Sequence, residues 1–233
     1  MGIFPANGAS SCFVLAIQFA IACGCRKMKN KMFVSFEGCE GVGKSTQLRL
    51  LKEYLERTGQ SAVYVREPGS TDISEQIRTV ILDPANTQMT YMTEAMLYAA
   101  SRAQLVREVI KPALAEGKLV ICDRYVDSSV AYQGYGRDMG AELIKQINAP
   151  AIDGCLPDLT VFIDLSPEHS WRTKRNDDRL EQESNAFFDK VYQGFLNEIA
   201  ISNGRIVPIK PDIDKNVTSE KIISLMRERG LIK

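Results

Sequence analysis

Gly38-Cys39-Glu40-Gly41-Val42-Gly43-Lys44-Ser45 fills every fixed position of the phosphate-loop pattern G-x-x-x-x-G-K-[ST]. A triphosphate needs backbone N–H groups turned inward, which glycines permit, and the positive end of a helix. In such a loop Lys44 reaches the outer phosphates and the Ser45 hydroxyl ligates magnesium. The expected ATP contacts are Gly38, Cys39, Glu40, Gly41, Val42, Gly43, Lys44, Ser45 and Thr46. A second constellation, Cys122-Asp123-Arg124-Tyr125, closes an apolar run. Beside a phosphate loop, an aspartate in that position is a second magnesium partner, often through water. Arg124 adds a planar fork of donors suited to phosphate.

Four further stretches carry weaker signals. Arg66-Glu67-Pro68-Gly69-Ser70 is a rigid turn, and Arg78, one helix later, reads by itself as a solvated charge. Tyr98 and Arg102 lie four residues apart, hence on one helical face. A ring and a guanidinium there suit a nucleobase, but taken alone they read rather as a core tyrosine beside a surface arginine. Ser128 to Gly134 offers hydroxyl and amide groups for base edges. Trp171 to Glu181 packs Arg172, Lys174, Arg175 and Arg179 among carboxylates. Such a run is a solvated face, or a lid that closes over a triphosphate.

The elements that must position these groups alternate. Apolar strand-like runs occupy 32–36, 61–66, 118–122, 159–163 and 205–208, and a helix opens at Thr46 with Leu48, Leu51 and Leu55 on one face. Helical patterns follow at roughly 71–82, 90–116, 140–148, 183–202 and 215–229. That alternation predicts an α/β fold, a five-stranded parallel sheet flanked by helices on both faces, with its ligands at the carboxyl ends of the strands. One domain is expected over 32–233, with a short lid at about 168–182.

Composition narrows the partners. The 233 residues carry 29 Lys plus Arg against 29 Asp plus Glu, so positive potential must be local. That argues for a small anionic ligand and against a nucleic-acid polymer. Six cysteines without metal-ligand spacing suit reduced thiols in a cytosol. His169 is the sole histidine and reads as a surface residue, which excludes a histidine triad or zinc centre.

Residues 1–31 do not read as part of this fold. Cys12–Cys23 is apolar except for Gln18, and Arg26, Lys27, Lys29 and Lys31 follow. A secretory signal lacks the leading positive charge, and a spanning helix needs about 20 apolar residues. The favoured reading is a start assigned too early, with Met28 or Met32 as the true beginning and no membrane association unless the extension is retained.

The ordered series Phe36-Glu37-Gly38, Arg66-Glu67-Pro68-Gly69, Tyr98-Ala99-Ala100-Ser101-Arg102, Asp123-Arg124-Tyr125, Ser128-Ser129, Ala131-Tyr132-Gln133-Gly134 and Asp178-Arg179-Leu180-Glu181 resembles the bacterial thymidylate kinases, of the P-loop nucleoside monophosphate kinase family. The resemblance runs from Met32 to about Ser202 and more loosely beyond. It implies a P-loop NTP hydrolase type of fold and transfer of the γ-phosphoryl of Mg-ATP to dTMP, giving dTDP for dTTP synthesis. It further implies a cytoplasmic homodimer with magnesium held by Ser45 and Asp123. For dTMP it implies Tyr98 stacked on thymine, Arg102 donating to a base carbonyl, and Ser129 and Gln133 on the remaining edge. Tyr132 would lie below the deoxyribose, Arg78 and Arg124 at the monophosphate, Glu40 near the 3′-hydroxyl, and Arg66 and Pro68 in the same pocket. Lys44, Asp123 and Arg124 are the expected catalytic residues. They are joined by a lid cation from Arg172, Arg175 or Arg179, because Gly41 stands where one branch of the family carries an arginine in the loop. Ser70 replaces a usual second glycine and Tyr98 a usual phenylalanine. The alternatives are another nucleotide or nucleoside kinase, acting on dUMP or thymidine, and a non-kinase nucleotide switch.

Overall fold

Residues 32–170, 178–180 and 182–233 are described by the structure, a computed structural model. The extension 1–31 and the lid arginines Arg172 and Arg175 lie outside them. The five apolar runs form β1 (Phe33–Glu37), β2 (Ala62–Arg66), β3 (Leu119–Asp123), β4 (Leu159–Ile163) and β5 (Ile206–Ile209), in the order β2-β3-β1-β4-β5. Every pairing is parallel, with Phe36 opposite Asp123 and also opposite Val161. Successive side chains of a strand point to opposite faces. Accordingly Phe33 joins Val120 and Cys122 in one core, while Val34 and Phe36 join Ile121 and Phe162 in another. In β1, β3 and β4, burial on both faces is why the runs are apolar rather than alternating, whereas the edge strands β2 and β5 are partly exposed.

The helices are α1 (Lys44–Arg57), α2 (Asp72–Leu82), α3 (Tyr91–Leu105), α4 (Lys111–Ala115), α5 (Val126–Ser129), α6 (Ala141–Ile152), α7 (Asn185–Ile201) and α8 (Lys215–Glu228). Thr71, Thr90 and Ser184 cap α2, α3 and α7 by accepting from backbone N–H groups of the first turn. The expected helix over 90–116 is α3 and α4 joined by a π-helical turn, Val106–Ile110. Helix α1 starts at Lys44, earlier than expected, and α6 runs on to Ile152 through Pro150. No helical pattern was expected over 126–136, where α5 passes into a π-helical stretch, Val130–Gly136. Val126 to Gly134 are all buried. A helix covered on every side has no amphipathic stripe to be read. It packs on α7, where a Cβ on Gly194 would stand 2.7 Å from the Tyr135 ring. Among the described residues no helix is long and apolar enough to cross a membrane.

Phe162 is fully buried, its ring 4.9 Å from that of Phe195 between β4 and α7. Phe162→Ala should cost about 3–5 kcal/mol, read as a lowered urea midpoint with an unchanged slope.

Candidate active site

The connection leaving β1 passes to one side of the sheet and that leaving β3 to the other, which opens a crevice between their carboxyl ends. The phosphate loop and Asp123-Arg124 meet there. Gly38 has φ +146°, and a Cβ on it would lie 2.9 Å from Val42 Cγ2 and 3.0 Å from the Ile163 carbonyl. Gly43 precedes α1 in the left-handed region, and no side chain caps that helix. Its first N–H groups are thus left for an anion. Lys44, 8% exposed, donates from Nζ to the carbonyls of Gly38 and Cys39 at 3.3 Å each. Burial and the neighbouring Arg124 push its pKa down, and Glu40 and Asp123 oppose them. Asp123 Oδ1 is buried without a hydrogen-bond partner, and Ser45 is exposed at the start of α1. An orphaned carboxylate oxygen beside a phosphate loop fits a magnesium ion shared with phosphates. Among the described residues no group of three or more His, Cys, Asp or Glu could hold a metal ion by itself.

Arg124 has φ +66°, and its N–H donates to the Phe36 carbonyl at 3.0 Å. Non-glycine residues pay for that backbone conformation, and such strain collects at functional sites. Its Nη1 donates to the Gly38 carbonyl at 2.9 Å and to Ser128 Oγ at 3.1 Å, and its Nη2 to Glu40 Oε1 at 2.5 Å. The guanidinium also lies over the Tyr132 ring, whose hydroxyl donates to Glu40 at 3.1 Å. Behind it sits Glu37, fully buried, accepting from the Tyr125 N–H at 2.7 Å and the Ser128 hydroxyl at 2.5 Å.

One cavity opens beside this corner. Glu40, Pro68, Arg78 and Arg124 line one part of it, and Tyr98, Arg102, Ser129, Tyr132 and Gln133 also reach it. Arg78, which alone read as a surface charge, is half-buried and donates to the Pro68 carbonyl at 3.0 Å. Arg102, the alternative surface arginine of the sequence, is 1% exposed and donates from Nε to Glu67 Oε2 at 2.8 Å. Arg66 is not brought to the cavity. It braces the turn instead, donating to the Pro68 carbonyl at 3.1 Å and pairing with Glu75 at 2.9 Å. Ser70, with φ +71°, adopts the conformation expected of the glycine it replaces, held by its Oγ accepting from the Arg66 N–H at 2.8 Å. His169 is exposed.

Arg179 is one of the three candidates for the lid cation, and its side chain is engaged with the protein. Its N–H donates to the Leu82 carbonyl at 3.1 Å, its Nε to the Ile81 carbonyl at 3.1 Å, and its Nη2 to Glu94. Neighbouring Asp178 and Leu180 line the same cavity. A side chain tied to the end of α2 and to α3 is a tether. Several participants carried no signal in the sequence. Asn148 on α6 accepts from Arg102, and Arg137 joins Glu94 to Glu183. Glu94 itself was legible only as a carboxylate four residues before Tyr98 on the same helical face. A second cavity lies against the phosphate loop, between Val42, Thr46 and Gln47 on one side and Pro211 to Lys215 on the other.

The family model described as Thymidylate kinase matches residues 36–222. The thymidylate kinase of Lactobacillus acidophilus is 48% identical over 203 residues, covering 84% of this chain and 94% of that protein. That of a Thermoanaerobacter species is 50% identical over 171 residues, covering 72% and 83%. Among solved structures, thymidylate kinase from Ehrlichia chaffeensis superposes with TM-score 0.70 at 31% identity, covering 85% of this chain and 100% of that one.

Burial and the charge of Asp127 push the Glu37 carboxyl up to about 8, against the lowering by Arg124 and by the Ser128 and Tyr125 hydrogen bonds. From its ordinary value of 4.5 to about 8, the folded chain therefore holds a proton that the unfolded chain releases. More protons bound by the folded state means that stability is lost as pH rises through that window. Glu37→Gln should flatten the fall in Tm between about pH 6 and pH 8. Parallel curves for variant and native chains would mean that Glu37 is already ionised.

Proposed function

The chain belongs to the thymidylate kinase family and transfers the γ-phosphoryl group of ATP to dTMP, giving ADP and dTDP, and we propose that it does so across the crevice between β1 and β3. The observation that carries this assignment of the site is one cavity, beside the phosphate loop, that Arg78, Tyr98, Arg102 and Arg124 all reach. Thymine stacks on Tyr98, with Arg102, Ser129 and Gln133 at its edge. The monophosphate meets Arg78 and Arg124, Tyr132 packs under the deoxyribose, and Glu40 faces the sugar 3′-hydroxyl. Pro68 forms one wall, and Arg66 acts through the turn that carries it. Adenine takes the second cavity, between Thr46 and the segment from Pro211 to Lys215.

The chemistry follows from charge. An acceptor phosphate oxygen is already anionic, so no general base is needed and a lone exposed histidine is no handicap. The difficulty is to bring two anions together in line and to neutralise them where water is scarce. Lys44 exchanges the Gly38 and Cys39 carbonyls for the outer phosphates of ATP. Arg124 exchanges Glu40 for the acceptor phosphate, staying anchored on the Gly38 carbonyl. Ser45 and Asp123 would hold magnesium, which would supply charge neutralisation during transfer. With Arg179 tied to Glu94, the lid cation falls to Arg172 or Arg175.

The working form is a cytoplasmic homodimer. Ile73 and Val80 on α2 and Met92 and Met96 on α3 are exposed, at 51%, 45%, 40% and 56%, and these two helices pack side by side. Adjacent apolar stripes of that kind mark an association surface.

Two experiments test these assignments. ADP release by the purified chain with Mg-ATP, measured with dTMP, dUMP, thymidine, dCMP and no acceptor, should rise strongly with dTMP. Lys44→Ala should lower that turnover by about 100-fold or more. Equal rates with every acceptor would discard the cavity as the dTMP site. Light scattering should give twice the chain mass, and Val80→Glu with Met96→Glu should give a monomer. An unchanged mass in the double variant would place the interface elsewhere.

A further inference from the structure

Glu94 and Glu67 are buried carboxylates for which the transfer reaction has no use. Glu94 is 0% exposed and accepts from Gln133 Nε2 at 2.9 Å, from Arg137 Nε at 3.3 Å and Nη2 at 3.1 Å, and from Arg179. Burial alone would raise its pKa, but Arg137 and the converging hydrogen bonds bring the carboxyl below its usual range. An ionised carboxylate can only accept. Gln133, 1% exposed, must therefore turn its NH2 group to Glu94. Its amide oxygen is the end left for the cavity that the residue lines.

Arg102 is fixed in the opposite sense. Its Nε and Nη2 both donate to Glu67 Oε2, Nη2 also donates to Ser129 Oγ at 3.1 Å, and Nη1 donates to Asn148. Four of five guanidinium donors are so engaged, and the fifth can only donate. Ser129 Oγ accepts from Arg102, which leaves the hydroxyl its own proton to give.

We propose that Glu94, without touching substrate, sets the hydrogen-bond polarity of the base pocket: an acceptor at Gln133 beside donors at Ser129 and at Arg102, whose guanidinium Glu67 holds in place. This rests on the assignment of that cavity to the acceptor base. The pattern complements a pyrimidine with a ring N–H next to a C4 carbonyl, as in thymine and uracil. It opposes one with a bare ring nitrogen next to a C4 amine, as in cytosine. There, acceptor would face acceptor and donor would face donor in a buried site, and unpaired buried polar groups give strong rejection. Glu94 is a positioning residue. It is the decisive one, because an amide can present either end whereas a guanidinium can only donate.

The test is kcat/KM for dTMP relative to dCMP in the full chain. Glu94→Gln offers Gln133 a partner that can donate, so Gln133 can turn its NH2 group to the cavity. The dTMP to dCMP ratio should fall by about tenfold or more, chiefly through KM. Glu94→Asp keeps the acceptor and should keep the ratio. A purely structural role would lower both acceptors alike, and an unchanged ratio in Glu94→Gln overturns the proposal. If that variant fails to fold, Gln133→Met serves instead, keeping bulk while removing polarity. It should lower kcat/KM for dTMP and spare that for dCMP, and equal losses overturn the proposal. A native chain using dTMP and dCMP equally would sink the base-site assignment itself, a failure distinct from that of the polarity claim.

Discussion

Charge buried beside charge is the constraint on which this structure depends. Glu67 and Glu94 are 5% and 0% exposed, and Lys44, Arg102 and Arg137 are 8%, 1% and 7% exposed. Each such group costs several kcal/mol to take out of water unless partners and hydrogen bonds surround it. The fold answers by joining elements through these charges. Glu67 after β2 meets Arg102 on α3, Glu94 on α3 meets Arg137 beyond α5, and Asp127 on α5 meets Arg205 before β5 at 2.7 Å. The ion pairs are therefore joints between elements as well as electrostatic features of the site.

The same constraint shapes the chemistry. Lys44 rests on loop carbonyls and Arg124 on Glu40. Protein groups thus hold the positions that nucleotide oxygens take in the proposed reaction, so substrates enter a site whose cations are already placed. Preorganisation of this kind avoids reorienting dipoles at the moment of transfer. It also accounts for a neutral chain binding two anions. Positive groups converge at the carboxyl ends of β1 and β3, and the balancing acids stand just behind or beside them.

Much of this was legible in the residues. The phosphate loop is a local device, eight consecutive residues whose backbone conformation is dictated by their glycines, so Gly38 to Ser45 could be read directly. The central strands β1, β3 and β4 were legible because burial on two faces leaves apolar runs. Val126 to Gly136 escaped because burial on all sides erases helical periodicity. Arg102 read as readily as a surface residue, because its partners Glu67, Ser129 and Asn148 are 35, 27 and 46 residues away.

Sequence by itself determined the alternation of strands and helices, the glycine-rich phosphate loop, the aspartate that ends β3 and the family, since each depends on neighbouring residues or on an ordered motif series. Tertiary structure alone decided which cations line the cavity and which brace the protein. It drew Arg78 inward, left Arg66 bracing a turn, and tied Arg179 to Glu94. Those outcomes depend on which acids the fold brings within a few ångströms. In a low-dielectric interior that distance, rather than residue type, decides what a charge is free to bind.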